Sequence, residues 1–406
     1  MRRKEHRCSR ITQFTPSTKV VVNNMKCGEV IKSVMNSSCN YYANNSFYSS
    51  LFDQDAFFSS CLEIEWDSDI YPLIEMLDRR ISNLLSCVVT INQVCNAYLF
   101  NVNNTQRKVE SLYTTVDLRF TIKCTHGIIN IKRTLFDRNV QDKDRLTTLI
   151  QKEIEKINQQ FAHASLLFVA SDAHDCSIIL PAGIGGIWVH EAIGHCLEAD
   201  IWAKATNPIK KQFGKRITAN SEISISDTCR KGDMIFYNTS DDGAQPVDVN
   251  LVHKGFLVGL LGDEFSEKSF GLRNTGNGRA SDCNSIPIPR MRNTFIHNGT
   301  SCVDDIIRFT RRGLLATDIE GGNVNVQSGE FVFCIKSALF IDNGNVIGVA
   351  QPFLFSDNIT TALDSIDAIG NDLDFTYATC GKYGQLVEVS YGQPTIRIDK
   401  CTRRRI

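Results

Sequence analysis

The 406 residues carry a formal net charge of −1 and 42% hydrophobic side chains. That balance suits two packed domains with a sizeable core, and it excludes both a disordered chain and a strongly basic one, so neither nucleic acid nor an acidic membrane surface is an expected partner. Fifteen cysteines are scattered, odd in number and never spaced as CxxC, which reads as reduced, mostly buried thiols.

The amino terminus begins basic with Arg2-Arg3-Lys4 but continues without an apolar segment or a small-residue cleavage site. No apolar run reaches the length of about 18 residues that a membrane helix needs. A cytoplasmic protein that does not enter membranes is the expectation. Residues 1–65, rich in Asn, Ser, Cys and Phe, show no sustained period and are expected to form a divergent, poorly ordered segment.

From residue 66 to 172 the pattern predicts an N-terminal α+β domain. Ile70, Leu73, Ile74, Leu77, Ile81 and Leu84 recur at helical spacing. Val116 to Lys123 alternates apolar and polar, and His126-Gly127 then turns the chain into Ile128–Ile131, a hairpin with one wet face. Leu146, Leu149, Ile150, Ile154, Ile157 and Phe161 predict a second amphipathic helix, followed by a strand over residues 165–170. Residues 173–406 predict a β-rich domain, to which the motif at 190–198 adds the expectation of a catalytic role. A run at 176–181 leads into Gly183, Gly185 and Gly186, placed where a helix end must approach another backbone closely. Turns are expected at Asp241-Asp242-Gly243, Gly321-Gly322 and Asp342-Asn343-Gly344, and one helix over residues 303–312, stopped by Gly313. The fold class is therefore α+β: an N-terminal α/β region with amphipathic helices and antiparallel strands, then a β-rich domain carrying a metal-motif helix.

That motif is His190-Glu191-Ala192-Ile193-Gly194-His195-Cys196-Leu197-Glu198. Imidazoles are favoured zinc ligands, and a carboxylate beside the first could take a proton from a zinc-bound water. The histidines stand five residues apart, which on a regular helix sets them roughly 140° from each other. One widened i to i+5 turn would realign them, and Gly194 would accept the distortion. Two alternatives stay open: unrelated core histidines, or a metal held by Glu191, His195 and Glu198 on an undistorted helix.

A catalytic zinc needs a third protein ligand. His253, His297, Glu198 and several cysteines are candidates, and spacing does not choose among them. Cys380 stands out because Gly381-Lys382-Tyr383-Gly384 follows it, with glycines for close approach and a lysine that would favour thiolate.

The segments HEAIGHCLEAD, NTGNGRASDCNSIPIPRMRNTF, GGNVNVQSGEF, GNDL, CGKYGQ and GQPT occur in the order and spacing of the TldD/PmbA family of metalloproteases, which this chain resembles from about Cys176 onward and more weakly back to about Val88. In that family the active subunit bears HExxxH and its partner lacks it, so the chain resembles the active, TldD-type member. The resemblance implies that His190, His195 and Cys380 bind one zinc per chain and that Glu191 is the catalytic carboxylate. It also implies an extended or unfolded peptide as substrate, such as the leader of a modified peptide natural product, and a homodimer or a heterodimer with a relative lacking HExxxH. A thiolate ligand predicts slow turnover. Arg279, Arg290, Arg292 and Asn293 fall in a matching segment as candidate substrate-binding or loop-bracing residues, and Glu198 as a group orienting a ligand histidine. The alternatives are a noncatalytic peptide-binding or regulatory subunit, or a closed structural zinc. The first 65 residues and the short ending, Cys401 and three arginines, depart from the family pattern.

Overall fold

Alternating burial makes a sheet out of the segment around residue 116: Val116, Leu118, Phe120 and Ile122 are buried while Arg119 faces solvent. The computed structural model describes residues 7–14, 17–23, 30–33, 84–102, 105–124, 127–137, 143–161, 167–169, 176–205, 208–281, 285–399 and 403–405, with side chains described chiefly from 176 onward. The chain divides into two units, residues 1–165 with 282–284, and residues 166–281 with 285–406.

The first unit holds a six-stranded antiparallel sheet. Val30–Ser33, Ser17–Asn23, Leu84–Val102, Thr105–Cys124 and Gly127–Asp137 lie in that order, and Arg7–Phe14 pairs with the far end of Leu84–Val102. The expected hairpin is present, with Cys124 opposite Gly127. The expected helix runs Lys143–Phe161 and buries Ile150, Ile154 and Ile157, one stripe at i, i+4 and i+7. Arg133 on the last strand reaches Glu153 on this helix at 3.0 Å. The helix expected over residues 70–84 lies outside the described residues up to 83, and at Leu84 the chain is already a strand. Three strands between residues 7 and 33 had no sequence signature.

The second unit is strand-rich. Its larger sheet has nine strands, ordered Ile366–Ile369, Ile396–Ile398, Ser177–Leu180, Arg312–Asn325, Glu330–Asp342, Asn345–Ala350 and Leu167–Val169, with Phe353–Asn358 added to Glu330–Asp342 and Arg403–Arg405 to Phe353–Asn358. The second main sheet has six, ordered Phe256–Leu257, Val249–His253, Ile225–Thr228, Asn293–Ile296, Gln385–Gln393 and Asp374–Lys382, and Gly278–Arg279 pairs with Ile288–Pro289 in a two-stranded sheet of its own. One apolar core joins both sheets through the motif segment: Ile178, Phe333 and Phe355 come from the first, Ile225, Leu251 and Ile296 from the second, and Trp188, Ile193 and Leu197 from the motif. Each such buried side chain contributes about 1.5–3 kcal/mol.

Two boundaries differ from expectation. The helix spans Val303–Arg308, and Gly313 belongs to the following strand. Asn343 and Gly344 donate their backbone N–H groups to the carbonyls of Arg311 and Thr310, which draws the chain out of the helix. Gly321 and Gly322 lie inside Arg312–Asn325, paired with Cys334 and Phe333 just after a register shift at Glu320, so they continue the strand beyond a bulge and make no turn. Among the described residues no helix is long and apolar enough to cross a membrane.

Candidate metal centre

Residues 184–197 form a coil apolar on nearly every side, and Trp188, Val189, Ala192, Ile193, Cys196 and Leu197 are all buried. A segment of that composition belongs inside a core. It winds through a 3-10 turn, Ile184–Gly186, one α turn, Ile187–Val189, a π turn, His190–Gly194, and a second 3-10 turn, His195–Leu197. The backbone N–H of His195 donates to the carbonyl of His190, the five-residue bond that the histidine spacing predicts. The two rings therefore meet on one side of the coil, edge to face, with centroids 5.1 Å apart.

The role of Gly194 is not the expected one. Its φ of −57° and ψ of −54° are ordinary helical values, so conformational freedom is not what it supplies. A Cβ at this position would stand 1.8 Å from Met291 Sδ; the glycine makes room for a neighbouring side chain. Gly186 does behave as expected, because a Cβ there would lie 2.8 Å from the backbone of Gly392.

At Glu198 the backbone becomes extended, with φ −68° and ψ 128°, and bridges Leu261 before the helix Ala199–Lys204 begins. This break and the π turn remove the undistorted helix face on which Glu191, His195 and Glu198 would have met. Glu198 Oε2 lies 2.9 Å from His195 Nδ1 and 3.0 Å from Lys382 Nζ, on the side of the imidazole away from Cys380. Burial alone would raise the Glu198 carboxyl, but the charges of His195 and Lys382 bring it down to about 2.

Cys380 comes from the hairpin of Asp374–Lys382 and Gln385–Gln393. Its two-residue turn, Tyr383-Gly384, has positive φ at both positions, as a tight hairpin of native twist requires. Cys380 Sγ sits 3.3 Å from His195 Nε2. The ligand atoms of His190, His195 and Cys380 all lie within 4.8 Å of one another, the one such convergence of His, Cys, Asp or Glu among the described residues. Burial pushes the Cys380 thiol up, yet hydrogen bonds and positive charge from His190 and His195 outweigh it and lower the group to about 5. Cys196, inside the motif, is pushed up to about 12 by burial and by Glu198. His297 is engaged with Ser226 Oγ at 2.8 Å, and His253 faces solvent. Lys382 does not act on the thiol as expected; its ammonium points to Glu198, Asp200 and the carbonyl of Pro289.

Two imidazoles and a thiolate are a zinc donor set, and ligands about 2.0–2.3 Å from a tetrahedral ion stand roughly 3.3–3.7 Å apart. The His195–Cys380 separation meets that spacing. His190 Nδ1 is buried without a hydrogen-bond partner, an orphaned donor-acceptor atom in the same cluster. Glu191 is more exposed than His195, 24% against 12%, with Oε2 3.7 Å from His195 Nε2.

The four candidate residues of the 274–295 segment are all buried. Arg279 donates through one nitrogen to the carbonyls of Met291 and Glu388, and Arg290 through its two terminal nitrogens to those of Gln385 and Cys380. Arg292 pairs with Asp227 at 2.6 Å and reaches the Val247 carbonyl, while Asn293 is bonded to the backbones of Thr228 and Ile235. Asp227 also accepts from Asn277, Thr294 and the Arg292 backbone, so its two oxygens take four hydrogen bonds in all from side chains and backbone. Asp227 and Asp200 went unnoticed in the sequence. The strand Ile225–Thr228 reads Ile-Ser-Asp-Thr, so no apolar pattern marks Asp227 as buried; its burial is a property of the tertiary structure alone.

Residues 173–404 match the model of the PmbA/TldA metallopeptidase C-terminal domain. A metalloprotease TldD homolog of Haemophilus influenzae is 32% identical over 269 residues, 65% of this chain and 54% of that protein. The homolog of Buchnera aphidicola is 32% identical over 227 residues, 55% of this chain and 47% of that protein. A zinc metalloprotease TldD homolog of Saccharolobus solfataricus is 28% identical over 232 residues, 56% and 51% of the two. The chain spans about half the length of these curated relatives. The crystal structure of TldE from Thermococcus kodakarensis shares the fold, with a TM-score of 0.65 over 96% of each chain at 15% identity.

Proposed function

This chain belongs to the PmbA/TldD metallopeptidase family, and on that premise we propose that it is a zinc-dependent peptidase of the TldD, HExxxH-bearing type, with one zinc per chain held by His190, His195 and Cys380. The observation that carries the reading is the convergence of those three ligand atoms within 4.8 Å. Zinc, when bound, supplies Lewis acidity that polarises a peptide carbonyl and makes water acidic near neutral pH. Glu198 accepts the Nδ1 proton of His195, which fixes the tautomer and presents Nε2 to the ion. Cys380 enters as thiolate. Glu191, partly exposed beside His195, takes a proton from water and returns it to the leaving amine. Arg279, Arg290, Arg292 and Asn293 brace the floor beneath the ligands through backbone carbonyls.

The substrate is an extended or unfolded peptide, such as a leader peptide. Asp374–Lys382 is the terminal strand of its sheet among the described residues, and a peptide added along that edge would run beside Cys380 and be held by main-chain bonds that ignore side-chain identity. We place the enzyme in the cytoplasm, as a homodimer or paired with a relative lacking HExxxH. Purified chain, alone and mixed with such a relative, is incubated with a mixed pool of unfolded peptides. Cleavage that disappears with a chelator and returns with zinc supports the proposal. Zinc-loaded protein that binds peptides and cuts none in either pairing favours the noncatalytic subunit.

A further inference from the structure

Lys382 follows Cys380 by two positions, so both side chains leave the same face of the strand Asp374–Lys382. Its ammonium carries three donors and meets three acceptors: Asp200 Oδ1 at 2.7 Å, Glu198 Oε2 at 3.0 Å and the Pro289 carbonyl at 3.0 Å. All of these side chains are buried. Glu198 Oε2 is the same oxygen that lies against His195 Nδ1. Arg290 flanks the carboxylate from its other side, with Nε 4.0 Å from Glu198 Oε1, and grips the hairpin through the carbonyls of Cys380 and Gln385. A closed circuit results. It runs from Cys380 along the backbone to Lys382, across to Glu198, on to His195, and back to Cys380 Sγ.

Nothing local holds Cys380 to the motif, since 185 residues separate it from His195. We propose that Lys382 is a positioning residue that docks the hairpin bearing Cys380 against the coil bearing His195 and so presets the metal site. The proposal rests on the zinc reading above. A merely structural lysine would neutralise Asp200 and Glu198 without affecting where the sulfur sits, and the two roles are separable.

The test uses the full chain in four forms: unaltered, Lys382→Met, Lys382→Met with Asp200→Asn, and Cys380→Ala. Methionine keeps the length and removes the charge; the second substitution removes a carboxylate left unpaired in the interior, so that the double variant folds where the single one is weakened. Zinc affinity is measured by chelator competition, and the cobalt-substituted forms are read by their thiolate-to-metal absorption band. The expected result is a loss of about 10–100-fold in zinc affinity in the double variant as well as the single one, with a weakened or shifted cobalt band. Wild-type affinity and band in the folded double variant would overturn the proposal. Failure of the zinc reading looks different: the unaltered chain binds no zinc, or Cys380→Ala binds it as tightly.

Discussion

His195 Nε2 and Cys380 Sγ stand 3.3 Å apart at opposite ends of the strand-rich unit's sequence. The first is delivered by a coil locked in the core, the second by a hairpin at a sheet edge. Because His190 and His195 bring the Cys380 thiol down to about 5 while Cys196 is pushed up to about 12, only one of the two nearby cysteines is prepared to bind a cation. Replacing Cys380 by alanine is expected to remove roughly a third of a zinc-binding free energy of about 10–16 kcal/mol, a loss of roughly 10²–10⁴-fold in affinity. Cys196→Ala keeps zinc. Metal content after dialysis against a graded chelator checks both, and equal retention by the two variants counts against the assignment.

Glu191 Oε2 stands 3.7 Å from His195 Nε2, outside the cluster of His190, His195 and Cys380. Glu191→Gln should leave zinc content unchanged and lower the turnover of unfolded peptides by about 10²–10⁴-fold, the usual contribution of a positioned proton-transfer group. Single-turnover cleavage by zinc-loaded protein makes the measurement, and an unaltered rate would remove Glu191 from the chemistry.

Gly194 makes room for Met291, so Gly194→Ala should cost about 1–3 kcal/mol as an overpacked core does. Shortening Met291 in the same chain should recover part of that cost. A double-mutant cycle by denaturant unfolding reads the coupling; strictly additive effects would show that the two positions do not collide.

Arg292 and Asp227 form a fully buried ion pair whose remaining donors and acceptors are satisfied by neighbouring backbone and side chains. Arg292→Met leaves Asp227 charged and unpaired and should destabilise the chain by about 3–5 kcal/mol. Peptide KM in the protein that remains folded should not move. Urea unfolding and steady-state kinetics together decide between bracing and substrate contact: intact stability with a raised KM would put Arg292 in the binding groove.

The widened turn at His190–Gly194 was legible because the arithmetic of 3.6 residues per turn forbids a five-residue pair from sharing a face of a regular helix. The burial alternation at 116–122 and the stripe of Ile150, Ile154 and Ile157 were legible for the same periodic reason. Cys380 was legible only in part: periodicity carries nothing across 185 residues, the glycines after it marked it among fifteen cysteines, and motif resemblance supplied the assignment as ligand. Lys382 shows how proximity in sequence misleads: two positions from the thiol, it spends its charge on Glu198 and Asp200. The end of the helix Val303–Arg308 escaped notice because the turn at Asn343-Gly344, some thirty residues on, captures the carbonyls of Thr310 and Arg311.

X-ray absorption at the zinc edge of metal-loaded protein addresses the central claim most directly. The account predicts a shell of one sulfur and two imidazole nitrogens, completed by one exchangeable light atom, with the sulfur lost in Cys380→Ala. A shell without sulfur, or one closed by four protein ligands, would contradict it.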